Sequence, residues 1–251
     1  MHIYNTYMRA LLLSLPLLGL SSLGHTEPPE PTEGKTVTFV TIDAVPWAAK
    51  HPETGEPFGA FVEIVEALEQ RTGLNIETAL TPFARIDREM ETGSHDCAMS
   101  IPRDKSLVVH GETLVTHDIG VVSLKNSPLG TRSALRNKRL SIPRGSSISQ
   151  VLEGDFNLQV EHDTNYLIAL HKLQRGRVDG VAGAVPTIFY IARKNNMYDM
   201  LAPPVKLSDV PLMLQCSRKS DNLDLLPVLN EAIRSMGKDG SLKAITDKYD
   251  F

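Results

Sequence analysis

The chain has 251 residues, of which 41% are hydrophobic and 22% are charged, and its formal net charge at pH 7 is −4. This composition provides enough apolar side chains for a globular core, and the acidic balance gives the chain as a whole no bias toward nucleic acid. The two cysteines, Cys97 and Cys216, can either pair in an oxidising compartment or remain as separate buried thiols.

Residues 1–24 have the layout of a signal peptide. Arg9 precedes the apolar run 11–20, and Ser22-Leu23-Gly24 offers small residues for a cleavage site. The run is short and is interrupted by proline and glycine, so it would span a bilayer poorly. We therefore expect removal by signal peptidase rather than retention as an uncleaved anchor. Residues 25–34 then form a flexible, Pro-rich tether of an exported, periplasmic protein.

The next segment alternates strand and helix patterns. Val37–Ile42 is rich in β-branched residues and is predicted to be a buried strand. Apolar residues then recur at helical spacing until Gly73, which ends the predicted helix, and residues 74–80 follow as a second strand. This order predicts a parallel α/β lobe.

One pattern occurs twice. In residues 81–103 a short amphipathic run stops at Gly93, and Asp96 leads into a short apolar strand. In residues 164–186 the same order returns with Gly176 and Asp179. Gly-x-x-Asp is by itself a common turn between helix and strand, but two such units in similar surroundings predict two lobes of similar build. A cleft between two lobes is a default place for a small ligand.

The rest of the chain completes a second lobe and returns to the first. Residues 112–125 form an extended crossover, and Ser147 with Gln150 fits a capping box at a helix start. Ala202–Pro211 is predicted to be a linker that leads into a return strand over Leu212–Ser217. Two chain crossings would make a hinge of two strands.

Lobe one is therefore assigned to residues 35–122 and 212–251, and lobe two to residues 126–205. Thr164 is expected to cap a lobe-two helix, and Ser241 to cap the last helix of the chain.

This order of parts resembles the bacterial extracellular solute-binding proteins of the amino-acid-binding type, which are periplasmic receptors of ABC importers. The stretch GAFVEIVEALEQRTG is similar to their first helix, GRVDGV to a helix-to-strand turn, and the final strand, long helix, Gly turn and short helix to their ending. The resemblance covers nearly the whole mature chain. It implies an α/β, two-lobed periplasmic-binding-protein-like fold and a monomer that binds a small solute for an inner-membrane ABC permease, without catalysis or a cofactor.

The resemblance also assigns candidate residues in lobe one. Trp47 matches an aromatic residue in the loop after the first strand, and Phe83 matches one before the second helix. Ser100 and Arg103 are nearest to polar groups that contact the ligand, although the segment before this arginine is shorter than usual. Arg85, in a Pro-aromatic-x-Arg pattern, is the alternative cation. A guanidinium group suits a carboxylate because it donates two parallel hydrogen bonds.

In lobe two, Gly145-Ser146-Ser147 matches a Gly-Ser/Thr-Thr turn of the family, where Ser146 and Ser147 would bind an anion at a helix start. Amino-acid binders usually place an acid five residues after the aspartate of the lobe-two turn, to hold the ligand ammonium group. Counting from Asp179 gives Ala184. The resemblance therefore favours a carboxylated ligand that lacks an amine or is oriented differently.

Two other classes of function stay open. The sequence contains no His-Glu-x-x-His, Walker or Gly-x-Ser-x-Gly motif, and its histidines have no metal-ligand spacing. Some proteins on this scaffold are dehydratases of cyclic carboxylates, which need a buried general acid. Glu63 and Asp43 are the acids that can be placed near the cleft. A ligand-sensing module, usually followed by transmembrane and signalling regions, is the third class.

Overall fold

The computed structural model describes residues 35–144, 148, 152 and 157–249. The predicted signal peptide, the tether up to residue 34, and the residues Ser146, Ser147 and Gln150 lie outside this part. Within it, the strands are β1 Thr36–Ile42, β2 Ala49–Lys50, β3 Pro57–Phe58, β4 Asn75–Thr81, β5 Cys97–Ser100, β6 Val108–Val122, β7 Arg139–Pro143, β8 Gln159–Asp163, β9 Gly180–Ala184 and β10 Val205–Ser217. The α-helices are α1 Ala60–Thr72, α2 Ile86–Thr92, α3 Tyr166–Gln174, α4 Val185–Lys194, α5 Leu226–Asp239 and α6 Ser241–Asp247.

Eight of these strands form one sheet in the order β4-β1-β5-β10-β6-β9-β7-β8. β1 lies parallel to β4 and β5, and β7 lies parallel to β8 and β9. Helices α1 and α2 connect the strands of the first set, and α3 connects β8 to β9, as α/β units require. The sheet therefore has two parallel halves, joined in the middle by β10 and β6.

The apolar cores follow the same division. One cluster gathers buried residues from Val37 to Leu114 and from Leu212 to Ile245, and includes side chains of α1 and α5. Two further clusters lie within the span from Ile119 to Val205. The fold is thus the two-lobed α/β arrangement expected from the sequence, with the closing helices packed on the first half.

The hinge consists of the long strands β6 and β10, which pair antiparallel from Val205↔Val121 to Ser217↔Val108. The predicted linker at Ala202–Pro211 is therefore wrong, because β10 begins at Val205. The proline-containing composition of this segment is misleading. Pro211 cannot donate a hydrogen bond to the ladder between β6 and β10, yet it lies opposite Thr116, and the ladder contains several register shifts.

The repeated Gly-x-x-Asp pattern has the same structure in both halves. Gly93 and Gly176 have φ values of 71° and 67°, a left-handed conformation that suits glycine at the end of a helix. Asp96 then accepts a 2.8 Å hydrogen bond from the Thr38 backbone N–H of β1, and Asp179 accepts one of 2.8 Å from the Arg139 backbone N–H of β7. Each aspartate thus ties a helix-to-strand turn to the first strand of its own half.

Most predicted helix ends agree with the structure, and two caps do not. α1 ends before Gly73, which has a left-handed φ of 69°, as predicted. The cap of α3 is Asn165 rather than Thr164, because the Asn165 side chain accepts the Ile168 N–H at 3.0 Å. Ser241 is the first residue of α6, not its cap, and its N–H donates to Asp239.

Cys97 and Cys216 form a disulfide bond. They lie directly opposite each other on the antiparallel strands β5 and β10, and both are buried. The register of two distant strands brings them together, which decides between the alternatives that the sequence left open.

Removing this bond should destabilise the protein. The disulfide closes a sequence separation of 119 residues, and loss of a native disulfide typically costs about 2–5 kcal/mol. We expect the variant Cys97→Ala/Cys216→Ala to have a free energy of unfolding in urea lower by about that amount. Wild-type protein kept reduced with dithiothreitol should show a loss of similar size. Equal stability of the variant and the oxidised wild type would contradict this expectation.

Asp96 should contribute stability that depends on pH. Burial alone would raise its pKa, but hydrogen bonds from Ser220 and Thr38 lower the pKa below its usual value. A carboxyl with a depressed pKa stabilises the fold above its unfolded pKa, and this contribution is lost as pH falls through the folded value. Asp96→Asn should therefore cost about 1–3 kcal/mol near pH 7 and less at acidic pH. Urea unfolding at several pH values measures the difference, and a difference that does not change with pH would refute the role.

Candidate functional site

The candidate site lies in the loops after the parallel strands. Ligands of open α/β sheets bind outside the carboxyl ends of such strands. In the first half these loops follow β1, β4 and β5, and they contain Trp47, Phe83 with Arg85, and Arg103, respectively. In the second half, the residues that follow β8 and β9 begin helices α3 and α4.

Trp47 connects the two halves. Its side chain is buried, and its ring stacks on Phe61 with the centroids 5.1 Å apart. The indole N–H donates a 3.1 Å hydrogen bond to the hydroxyl of Thr187, in the first turn of α4. The aromatic residue expected to face a ligand thus contacts the opposite half directly.

Arg103 and Phe83 form a second unit. The guanidinium carbon lies 4.4 Å from the centroid of the Phe83 ring, within cation–π distance. One terminal nitrogen lies 3.3 Å from Asp87, and the other donates to the backbone oxygen of Phe83 at 3.4 Å. Only 10% of the Arg103 side chain is exposed, and its buried Nε has no hydrogen-bond partner among the described residues. Burial lowers the pKa of Arg103, but an arginine stays charged at neutral pH.

Gln215 of β10 positions the backbone around this unit. Its side-chain oxygen accepts the Arg103 backbone N–H at 2.9 Å, and its nitrogen donates to the Ser100 hydroxyl at 2.7 Å. His110 of β6 lies 2.8 Å from the backbone oxygen of Arg103. Sequence reasoning missed Gln215, although one amide within the apolar run LMLQC is a signal of a buried polar contact.

The remaining candidates occupy different surroundings. Ser100 is buried, and its hydroxyl also donates to the backbone oxygen of Ile101 at 2.9 Å. Arg85 is exposed at the end of a short 3₁₀ turn. Ser146 and Ser147 belong to the part of the chain that the structure leaves undescribed. The structure thus brings Phe83 and Arg103 into contact and connects Ser100 to Arg103 through Gln215.

Tyr166 lies beside Ala184, the position at which the resemblance led us to look for an acid. The Ala184 backbone N–H donates to the Tyr166 hydroxyl at 3.0 Å. A Cβ on Gly183 would lie 2.1 Å from the same oxygen, so only glycine leaves room for this ring. Burial raises the pKa of Tyr166 to about 12, which keeps the phenol neutral.

One protein family agrees with these loops, with the two-strand hinge and with the arrangement of the halves. The model of the bacterial extracellular solute-binding proteins, family 3, matches residues 37–251. The chain belongs to this family. The match confirms the resemblance inferred from the order of the sequence elements.

Individual relatives of this family 3 protein are distant. It is 23% identical over 227 residues to the probable amino-acid-binding protein YxeM of Bacillus subtilis strain 168, covering 83% of this chain and 81% of that protein. A histidine kinase sensor domain similar to periplasmic binding proteins matches with a TM-score of 0.72 and 19% identity, covering 86% of this chain and 96% of that one. The substrate-binding protein of an amino acid ABC transporter matches with a TM-score of 0.70 and 18% identity, covering 85% and 98%. At these identities the structural matches establish the fold.

Among the described residues, no group of three or more His, Cys, Asp or Glu side chains could bind a metal ion. Within the same part of the chain, no helix has the length and apolarity needed to cross a membrane.

His117 of β6 packs against Trp47. The two ring centroids lie 5.6 Å apart, and His117 is buried. Burial lowers the pKa of His117 from 6.5 to about 4, and the nearby charge of Asp118 offsets only part of this effect. The solute-binding protein therefore has a neutral imidazole beside its one tryptophan at neutral pH.

This burial predicts a pH dependence of stability. Between pH 6.5 and about 4 the unfolded chain binds a proton at His117 and the folded chain does not. Stability should therefore fall as pH decreases through this window, by up to about 1.4 kcal/mol per pH unit. His117→Gln should remove that part of the slope, while the carboxylates shared by both proteins titrate equally. Urea unfolding at pH 7, 6 and 5 tests this, and parallel profiles for the two proteins would contradict it.

Proposed function

We propose that the protein captures a small carboxylated solute between its two lobes and delivers it to an ABC-type importer. The observation that supports this proposal best is Arg103, a largely buried cation whose carboxylate partner, Asp87, lies 3.3 Å away and is 58% exposed. Such a partner neutralises the guanidinium only in part, and a carboxylate is the group that a guanidinium binds best. The aromatic ring of Phe83 beneath it fixes the plane of the guanidinium.

The proposed lobes are residues 35–122 with 212–251, and residues 126–205. Arg103 and Trp47 belong to lobe one, and Ser146, Ser147 and Thr187 belong to lobe two. A solute held between them would favour the closed arrangement, because it would contact both lobes.

The solute is proposed to lack the ammonium contact that is usual for α-amino acids. The position of the usual acid is Ala184, and the neutral phenol of Tyr166 lies against its backbone N–H. A neutral phenol cannot offset the charge of a buried ammonium group. The site therefore suits an anion better than a zwitterion.

Location and partners follow from the family. Its members are extracellular solute-binding proteins, and one structural match is the substrate-binding protein of an ABC transporter. Together with the signal-peptide layout of residues 1–24, this supports a periplasmic location and a permease partner in the inner membrane, and we propose that the protein acts as a monomer.

Catalysis is not part of the proposal. Burial alone would raise the pKa of Glu63, but hydrogen bonds from Lys248 and Tyr249 lower it, so this carboxyl stays ionised and is unsuited to be a general acid. Asp43 is exposed. The second candidate function is ligand sensing, which the match to a histidine kinase sensor domain favours.

The test begins with a thermal-shift screen of carboxylates and amino acids, because a ligand at about 100 times its dissociation constant adds about 2.7 kcal/mol of stability. Calorimetry with the best ligand then compares Arg103→Ala, Arg85→Ala and the exposed control Arg175→Ala. We expect Arg103→Ala to weaken binding at least tenfold, since truncating one partner of a buried ion pair costs about 2–5 kcal/mol.

The control variant Arg175→Ala shows whether a loss of affinity comes from a lost contact with the ligand or only from the removal of one positive charge. Arg175 follows the carboxyl-terminal end of α3, away from the proposed cleft loops, so its removal should leave affinity unchanged. A loss with Arg85→Ala alone would assign the clamp to Arg85. If neither variant changes affinity, or if the tightest ligand is a cationic amino acid, the carboxylate proposal fails.

A further inference from the structure

The two halves of the protein carry net charges of opposite sign. Residues 126–205 contain ten Lys and Arg residues and six Asp and Glu residues. Residues 35–122 and 212–251 together contain thirteen basic and twenty acidic residues. The second half is therefore positive, although the whole chain has a formal net charge of −4. Such an uneven distribution of charge orients a protein in an external field.

Five cations of the second half gather where its parallel strands begin. The segment that enters β7 holds Arg136, Lys138 and Arg139, and the turn between α3 and β9 holds Arg175 and Arg177. Arg139 joins the two segments, because its guanidinium donates a 3.0 Å hydrogen bond to the backbone oxygen of Gly176. These five residues are called the basic end below.

The protein neutralises little of this charge. Arg139 lies 3.5 Å from Asp179, a carboxylate in the same turn. The other four cations of the basic end form no ion pair within the described part of the chain. Three of these four are exposed and Lys138 is half-buried. Their charge is therefore available to an anion outside the protein.

Exposed apolar side chains lie at the same end of the sheet. Val160, in the edge strand β8, is 38% exposed, and Tyr198, in a short turn after α4, is 40% exposed. The turn of Tyr198 is held at this end, since the backbone oxygen of Met200 accepts the Lys125 N–H at 2.8 Å. Lys125 follows β6, whose last residues pair with the start of β9.

This combination favours an anionic lipid surface over other anions. The cations come from two segments and do not converge on one point, which suits a surface of many headgroups better than one small anion. A soluble polyanion would use the cations alone. At a membrane, an exposed valine and an exposed tyrosine beside cations also gain from partial burial at the boundary between headgroups and acyl chains.

We propose that the basic end docks the protein on an anionic phospholipid surface, with Val160 and Tyr198 at the headgroup boundary. β1 and β7 run in opposite directions, because three antiparallel pairs, β5–β10, β10–β6 and β6–β9, separate their parallel sets. The strands of the acidic first half therefore begin at the other end of the sheet, away from the lipid. This surface lies outside the proposed solute site and goes beyond the proposed function.

The experiment measures cosedimentation with vesicles. The probes are vesicles of phosphatidylglycerol and phosphatidylcholine in equal parts and vesicles of phosphatidylcholine alone. The protein is purified from the periplasm, and its intact mass is measured so that a retained apolar leader is detected and excluded. We expect partitioning into the anionic vesicles at least tenfold above that into the neutral ones at about 20 mM salt, and several-fold weaker at about 150 mM, because salt screens surface charge.

Two outcomes with the wild-type protein would overturn the proposal. One is equal partitioning into both kinds of vesicle. The other is complete release from the anionic vesicles by polyglutamate at an equal concentration of negative charge, which would assign the basic end to an acidic protein partner instead.

Charge variants locate the surface. Replacing the four unpaired cations in Arg136→Ser/Lys138→Ser/Arg175→Ser/Arg177→Ser should lower the partition coefficient at least tenfold, since each cation near an anionic leaflet contributes a factor of roughly five. The matched control replaces four exposed cations of the first half by serine and should change it less than threefold; these are Lys50, Arg88, Lys105 and Lys238. Both variants have the same net charge, so an equal loss in both would refute the basic end. If the first variant fails to fold by circular dichroism, Arg175→Ser/Arg177→Ser replaces it, with an expected loss of at least threefold.

A second pair of variants tests the apolar contact. Tyr198→Ser should weaken binding at least threefold at about 150 mM salt, where screening reduces the electrostatic attraction. Its control is Ile168→Ser, because Ile168 is 41% exposed but lies in the first turn of α3, at the opposite end of the strands. That control should bind like the wild type, and equal binding by both variants would contradict the contact of Tyr198 with lipid.

Discussion

The antiparallel pairing of β6 with β10 joins the two halves of the sheet. Both strands run from one half of the sheet into the other, and each half is attached to one of them: β5 pairs with β10, and β9 pairs with β6. Relative motion of the halves must therefore bend this pair of strands. The register shifts at Lys206/Ser208 and Leu212/Met213 interrupt the regular hydrogen-bond ladder between the two strands.

The same two strands position the candidate site. Gln215 of β10 and His110 of β6 both contact the backbone of Arg103, and His117 of β6 packs on Trp47. The cation and the aromatic residue proposed to contact the solute are thus supported by the hinge as well as by their own loops. A bend of the hinge would change the contacts of Arg103 and of Trp47 at the same time. The geometry of the candidate site is therefore coupled to the arrangement of the halves.

The sequence predicted what local patterns determine. The two Gly-x-x-Asp turns indicated two similar halves, and both aspartates bind the first strand of their half. The beginning of β10 was missed because its proline and charged residues resemble a linker. Its pairing with the distant strand β6 makes it part of a strand. In the candidate site, the assignment of Trp47 and Arg103 rests on resemblance and stays a prediction. Their partners Thr187 and Gln215 are 140 and 112 residues away in sequence and follow only from the fold.

The contacts of Trp47 also limit how a solute can enter. The indole has a single donor, which Thr187 of the second half occupies, and its ring contacts Phe61 and His117. With Trp47 only 3% exposed, a solute can reach this ring only if one of these protein groups moves away. Phe61 belongs to the core of the first half, so the group that can leave is on the other side of the cleft or on the hinge. If a solute binds at Trp47, its exchange therefore involves either separation of the halves or a shift of the hinge strand β6, and the β6–β10 pair takes part in both.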